Sequence, residues 1–119
     1  MTPVAFVNVS DRARAGAFYQ DVLGVPHKSA DDFGDFFDMG GALLRMTALP
    51  DYTPGPHPVL GWQVASIAAR MAELRRAGVE FLVYPGMGQD EDGVWTAPDG
   101  MAKLAWFKDS EGNLLSLNQ

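Results

Sequence analysis

An internal repeat is the feature that most constrains how this chain of 119 residues can fold. Segment 4–9 (VAFVNV) resembles segment 59–64 (VLGWQV), and segment 41–46 (GALLRM) resembles segment 112–117 (GNLLSL). In both copies the first segment precedes a small polar residue and a stretch with helical periodicity. A duplication of this size predicts two similar modules, with a ligand at the seam between them.

Both copies predict an amphipathic helix after the first strand. Ser10 or Asp11 is the expected N-cap of the first helix, and Gly24 ends it. Ser66 caps the second helix, and Gly78 ends it. Apolar residues recur in each helix with the spacing of one buried stripe: Ala15, Phe18, Tyr19, Val22 and Leu23 in the first, and Ile67, Met71 and Leu74 in the second.

The remaining segments predict β structure. Residues 36–49 read as a hairpin with Gly40-Gly41 at its turn. The second half has strand candidates at 79–84, 94–96, 101–108 and 114–118. We expect the pattern βαβββ in each half, which makes the fold α+β. We expect one domain over residues 1–119, with module 1 at about 1–50, a Pro-rich linker at 50–58, and module 2 at about 59–119.

Composition removes several classes of function. The chain has no cysteine, which excludes a disulfide scaffold, a thiolate metal site and a cysteine nucleophile. A formal net charge of -6 argues against a nucleic acid or an anionic membrane as partner. No apolar run approaches a membrane span, and the N-terminus lacks the pattern of a signal peptide. We expect a cytoplasmic protein.

Two motifs resemble the vicinal-oxygen-chelate superfamily, which includes glyoxalase I, extradiol dioxygenases and bleomycin-resistance proteins. Segment 17–24 (AFYQDVLG), preceded by Val9-Ser10-Asp11, is similar to the end of the family's first helix. Segment 109–117 (DSEGNLLSL) is similar to its C-terminal strand. The resemblance implies a curled mixed sheet that forms a glyoxalase-like cup. It also implies a homodimer, because members often build their cups from paired subunits.

Metal-dependent members of that family take one ligand, His or Glu, from the first and last strand of each module. The matching positions here are Val4, Val59, Arg45 and Ser116. Two are aliphatic, one is a cation and one is a neutral hydroxyl, whereas a catalytic metal needs about three His or carboxylate ligands. We therefore expect no metal and no cofactor.

Arg45 is the strongest candidate for ligand binding. It alternates with Leu44 and Met46, so it lies on the face opposite to the apolar pair. A guanidinium at that position presents a fork that binds carboxylate or phosphate. Two other interpretations stay open: an ion pair with a nearby acid such as Asp38, or a solvated side chain.

Other candidates share the expected site by register or by chemistry. Asn8 and Gln63 are repeat equivalents that lie on the same face as the first-strand ligand positions. Aromatic residues around segment 85–100, a candidate lid, suit a pocket for a flat organic molecule as well as they suit a core. The predicted ligand-binding set is Arg45, Gln63, Asn8, Phe6, Ser116, Trp95 and Trp106, with Tyr84 and Phe107 left between pocket and core.

Two functions remain. The first is metal-independent binding of a small organic molecule, anionic or aromatic. The second is a lyase, isomerase or dioxygenase type of enzyme that uses non-standard residues. His27 and His57, the two histidines of the chain, are candidate general bases for the second function, although surface histidines are commoner than catalytic ones. The absence of metal ligands favours the first.

Overall fold

The computed structural model describes residues 1–119 and confirms the α+β fold of two tandem βαβββ modules. The strands are β1 Val4–Val9, β2 His27–Asp31, β3 Gly34–Asp38, β4 Leu43–Ala48, β5 Leu60–Gln63, β6 Trp95–Thr96, β7 Lys103–Lys108 and β8 Leu114–Asn118. Helix α1 spans Arg12–Ala17 and continues as a π-helical turn at Phe18–Val22, and helix α2 spans Ile67–Arg76. Neither helix has the length and apolar character that a bilayer span requires.

The chain forms two compact units. Unit 1 contains Met1–Gly55 and Asp109–Gly112, and unit 2 contains Pro56–Lys108 and Asn113–Gln119. Each unit has one four-stranded mixed sheet, with strand order β1-β4-β3-β2 in unit 1 and β5-β8-β7-β6 in unit 2. The first and last strands of each module pair in parallel, and the other pairs are antiparallel.

Side-chain caps begin both helices. The Asp11 carboxylate accepts a hydrogen bond from the backbone N–H of Arg14 at 3.0 Å, so Asp11 rather than Ser10 is the N-cap of α1. The Ser66 hydroxyl accepts from the N–H of Ala69 at 3.2 Å and caps α2 as predicted. Gly24 and Gly78 have positive φ angles after the helices, the conformation that favours glycine at a helix end.

The core of unit 1 lies between its sheet and α1. Alternation sends every second residue of β1 and β4 towards the helix. The largest buried side chains there are Tyr19, Phe37, Leu44 and Met46, all at most 1% exposed. Phe18 and Val22 of the predicted apolar stripe are only half-buried. Ala15, Tyr19 and Leu23 of the same stripe are buried as predicted, and their four-residue spacing across the π-helical turn leaves a narrower contact than expected.

Unit 2 repeats this arrangement with α2. The predicted stripe of Ile67, Met71 and Leu74 is buried. Ala105, Phe107, Leu115 and Leu117 are buried in the same unit. These aliphatic and aromatic side chains supply the hydrophobic term that stabilises the module.

The strand predicted at 79–84 does not form. This segment makes a single bridge to β7, between Phe81 and Phe107. The Gln89 side chain occupies backbone groups that a strand partner would use: its Oε1 accepts from the N–H of Tyr84 at 2.6 Å, and its Nε2 donates to the carbonyls of Leu82 and Gly93 at 2.9 and 2.8 Å. A side chain four to seven positions from these groups gives no periodic signal in the sequence.

The turn at Asp109–Gly112 belongs to unit 1 through a buried polar cluster. The Glu111 side chain is fully buried and accepts hydrogen bonds from the Ser10 hydroxyl, the Asp11 N–H, the Arg14 guanidinium and the Ser110 hydroxyl. The Tyr19 hydroxyl donates to the buried Asp109 carboxylate at 2.8 Å. Segment 109–117, the second motif that resembles the family, thus has a structural role, because its Glu111 binds residues at the start of α1.

Candidate functional site

Each sheet has one face packed on its helix and one face without a helix, which we call the helix-free face. In unit 1 the register places Phe6 beside Arg45, and Arg45 beside Phe36, in one row across β1, β4 and β3. The next row contains Asn8 and Thr47. Since Leu44 and Met46 are fully buried on the other face, alternation puts Arg45 on the helix-free face, as predicted.

Arg45 lies against an aromatic ring and pairs with an acid. Its Cζ is 4.8 Å from the centroid of the Phe36 ring, within cation–π range. Its Nη2 donates to Oδ1 of Asp31 at 2.8 Å. The ion pair considered from the sequence therefore exists, but the acid is Asp31 and not Asp38. Asp38 instead accepts from the N–H of Gly40 in the hairpin turn.

One nitrogen of the Arg45 guanidinium has no acceptor. The side chain is 13% exposed, and Nη1 is shielded from solvent without a hydrogen-bond partner. Leaving a buried donor unsatisfied costs about 1–3 kcal/mol, and more for a charged group. Such a donor requires an explanation, and an acceptor that joins the site is one.

Asp31 is held as a carboxylate. It also accepts from the backbone N–H groups of Phe33 and Gly34, at 2.9 and 3.1 Å. The hydrogen bond from Arg45 is the largest cause that lowers the pKa of Asp31 to about 2. Asp31 is therefore a carboxylate at neutral pH, and its charge balances that of the Arg45 guanidinium.

The helix-free face of unit 2 is uncharged at the corresponding row. Ser116 lies between Gly61 on β5 and Trp106 on β7. A Cβ at position 61 would clash with the Ser116 hydroxyl, so glycine is required beside this serine. Gln63 pairs with Asn118 in the next row, where β7 contributes Leu104 and β6 contributes Trp95. This face thus carries polar groups on β5 and β8 and aromatic groups on β6 and β7.

Tyr84 extends the aromatic part of that face. Its ring meets the Trp106 ring edge-on, with centroids 6.0 Å apart. Gln89 positions Tyr84 through the backbone hydrogen bond described above. Phe107, in contrast, is fully buried on the helix side, whereas Tyr84, Trp95 and Trp106 are half-buried.

The two registers define which residues of the modules are equivalent. Phe6, Arg45 and Phe36 of unit 1 correspond to Gly61, Ser116 and Trp106 of unit 2. Asp31 lies opposite Gly34, and Trp95 lies opposite Leu104 at the equivalent place. The charged pair of unit 1 is therefore replaced by a tryptophan and a serine in unit 2.

The histidines do not share a face with Arg45. Nε2 of His27 lies 2.9 Å from Oδ1 of Asp35, and its ring meets the buried Phe37 ring edge-on. Arg12 of α1 donates to the same carboxylate at 2.7 Å. His27 is thus part of the helix-side packing of unit 1, and His57 is exposed in the linker.

The residues present do not fit the family's metal centre. The four matching positions are Val4, Val59, Arg45 and Ser116. No group of three or more His, Cys, Asp or Glu side chains lies close enough together to hold a metal ion. We therefore derive no chemistry through a metal.

The predicted site residues fall into two sets, one in each unit: Phe6, Asn8 and Arg45 in unit 1, and Gln63, Trp95, Trp106 and Ser116 in unit 2. Sequence reasoning missed Phe36 and Asp31 as neighbours of Arg45. The Gly40-Gly41 turn was a usable signal for Phe36, because its position fixes the register that places Phe36 opposite Arg45. No local pattern marked Asp31, which reaches Arg45 across an intervening strand.

Comparisons with known proteins agree with this architecture. The chain is similar to the fosfomycin resistance protein FosX from Listeria monocytogenes (15% identity, TM-score 0.76, 99% of this chain and 91% of that one). It is also similar to TnmS3, an antibiotic binding protein from Streptomyces sp. CB03234 (23% identity, TM-score 0.73, 100% and 94%). A third relative is lactoylglutathione lyase from Agrobacterium tumefaciens (15% identity, TM-score 0.72, 99% and 92%). At these identities the similarity concerns the fold.

No curated protein sequence matches the chain. The family model described as Glyoxalase/Bleomycin resistance protein/Dioxygenase superfamily matches residues 3–117, which is nearly the whole sequence and includes both modules. The chain therefore belongs to the glyoxalase/bleomycin resistance protein/dioxygenase superfamily.

Proposed function

We propose that this protein binds a small aromatic organic molecule without the help of a metal ion. The observation that carries the proposal is Arg45, whose largely buried guanidinium has one nitrogen with no acceptor. The helix-free face around it offers the Phe36 and Phe6 rings for apolar contact. A few placed polar groups among aromatic side chains are typical of small-molecule sites.

The aromatic contacts are chemically suited to a flat ligand. Phe6 is 69% exposed although it lies in the middle of a strand. Val4, two residues earlier on the same strand, is 40% exposed, and a contiguous exposed apolar patch of this kind marks an interaction surface. Asn8 lies in the next row of the same face and is included in the proposed contacts of unit 1. In unit 2, Trp95, Trp106, Ser116 and Gln63 supply the same kinds of group on that unit's own helix-free face, and we propose them as contacts there.

The similar proteins support only the general class of function, which is the binding of small molecules. TnmS3 is an antibiotic binding protein and FosX is a fosfomycin resistance protein. The residues at the family's metal-ligand positions here contain no His and no carboxylate. Metal-independent binding is the function that such residues can support.

The test is a thermal-shift screen with neutral and anionic aromatic compounds, followed by calorimetry on the best hit. Arg45→Met should weaken binding of that hit by about tenfold or more, because a charged hydrogen bond is lost. Arg75→Met is the matched control. Arg75 also lies over a ring, with Cζ 5.1 Å from the Phe81 centroid, and donates through Nη2 to the Asp92 carbonyl.

Equal losses in the two variants would contradict the proposal. Metal analysis accompanies the screen: about one divalent ion per purified chain, with loss of binding after chelation, would contradict metal independence. A homodimer and a cytoplasmic location remain predictions. Light scattering at twice the monomer mass would support the homodimer.

A further inference from the structure

We propose that the Arg45 site selects an uncharged hydrogen-bond acceptor, such as the carbonyl oxygen of an aryl amide or ketone, over a carboxylate. Asp31 is the determinant of this selectivity, because it is a built-in counter-ion for Arg45. The inference rests on the proposed function and assigns its ligand to a chemical class. It replaces the expectation that Arg45 binds an anion.

The charge on Arg45 is already neutralised within unit 1. Nη2 donates to Asp31 Oδ1 at 2.8 Å, so a ligand carboxylate would meet a pair with no net charge. Alternation along β3 puts Asp38 on the same face, two residues from Phe36. A carboxylate ligand would therefore approach a guanidinium whose charge Asp31 already balances, whereas an uncharged acceptor meets no repulsion.

The remaining donor of Arg45 suits a single oxygen atom. Nη1 has no acceptor, and a carbonyl oxygen accepts an N–H without bringing a charge. Because Nη1 is shielded, an acceptor reaches it only when a neighbouring side chain moves. Phe6 is the cross-strand neighbour of Arg45, and its 69% exposure gives that ring room to move.

Unit 2 lacks both members of the charged pair formed by Arg45 and Asp31. At the places equivalent to Arg45 and Asp31, unit 2 has Ser116 and Trp95. Both modules thus keep this part of the helix-free face without net charge. An arginine that binds an anionic ligand would have no need of an acid within hydrogen-bond distance of its guanidinium.

The experiment measures binding of matched amide and carboxylate probes by calorimetry at pH 7.5. The first pair is indole-3-acetamide and indole-3-acetate, and benzamide with benzoate and 2-naphthamide with 2-naphthoate complete the panel. Wild-type protein should bind the amide of a pair about fivefold or more tightly than the carboxylate. Asp31→Asn should reverse the preference, because it leaves Arg45 with an unbalanced charge while an amide oxygen can still accept from Phe33 and Gly34.

Asp38→Asn is the control, since it removes the same charge from the same face without freeing Arg45. It should leave the amide preferred. Wild-type preference for the carboxylate, or an unchanged preference in Asp31→Asn, would overturn the inference. The proposed function survives either result provided that Arg45→Met abolishes binding of the better probe. Failure of the wild-type protein to bind any pair at millimolar concentration would overturn both.

Discussion

Glu111 offers the most direct test of how unit 1 is held together. Its buried carboxylate accepts from Ser10, Asp11, Arg14 and Ser110 at 2.7 to 3.0 Å. The Arg14 hydrogen bond is the largest cause that lowers the pKa of Glu111 from 4.5 to about 2. At about 1.4 kcal/mol for each tenfold change in the proton affinity, this carboxylate contributes about 3 kcal/mol to stability at neutral pH.

The sign of the pH dependence follows from the depressed pKa. The contribution is fully present above 4.5, the pKa of an unperturbed glutamate, and it is lost as the pH falls through about 2. Glu111→Gln should therefore destabilise the protein by about 2–3 kcal/mol at pH 7, and the difference from wild type should shrink towards zero near pH 2. Glutamine keeps the shape of the side chain, so the packing is not the variable.

Urea denaturation of both proteins at pH 7, 4.5, 3 and 2.5, followed by circular dichroism, measures the difference. Glu73→Gln is the matched control, because Glu73 pairs with Arg70 on α2 but is 55% exposed. It should change stability by less than about 0.5 kcal/mol at any of these pH values. A Glu111→Gln difference that stays constant from pH 7 to pH 2.5 would refute the reasoning, since the loss would then be unrelated to charge.

Two further predictions concern the other polar contacts of the fold. Tyr19→Phe should destabilise the protein by about 1–3 kcal/mol, measured as a lower urea midpoint, because it removes a buried hydrogen bond to the Asp109 carboxylate; an unchanged midpoint would show that the hydroxyl is dispensable. Gln89→Ala should speed amide hydrogen exchange at Tyr84 by about tenfold or more, because the side chain is the acceptor for that N–H. Exchange at the wild-type rate would mean that segment 82–93 keeps its form without Gln89.

The sequence predicted the parts of the fold that depend on periodicity and on duplication. Both helix ends at Gly24 and Gly78, the Ser66 cap and the strand at β8 follow from local rules and are present. The repeat also predicted the strand register, since Arg45 and Ser116 occupy equivalent rows. Local capping and periodicity rules, together with the internal repeat, were sufficient to predict these features.

Features that depend on one side chain reaching a distant group were not predictable. Gln89 occupies backbone groups of the segment expected to be a strand at 79–84, and the π-helical turn at Phe18–Val22 narrows the buried stripe of the first helix. Asp31 lies fourteen residues before its partner Arg45. Several acids were available to pair with that arginine, and choosing among them required the register of three strands.

Comparison of the two modules separates positions that are similar in both from positions that differ. Equivalent core positions hold similar residues: Phe37 and Phe107, Leu44 and Leu115, Met46 and Leu117, each at most 1% exposed. Close packing restricts these positions to apolar side chains of similar volume. The helix-free faces differ more between the modules: Phe6 of unit 1 corresponds to Gly61 of unit 2, and Arg45 corresponds to Ser116. The charge of Arg45 lies on the helix-free face and is balanced by Asp31 of the same module. It is therefore not needed to stabilise the core. Arg45 is nevertheless unfavourable in one respect, because its Nη1 has no acceptor. A ligand that supplies the missing acceptor is the simplest explanation for this unsatisfied donor.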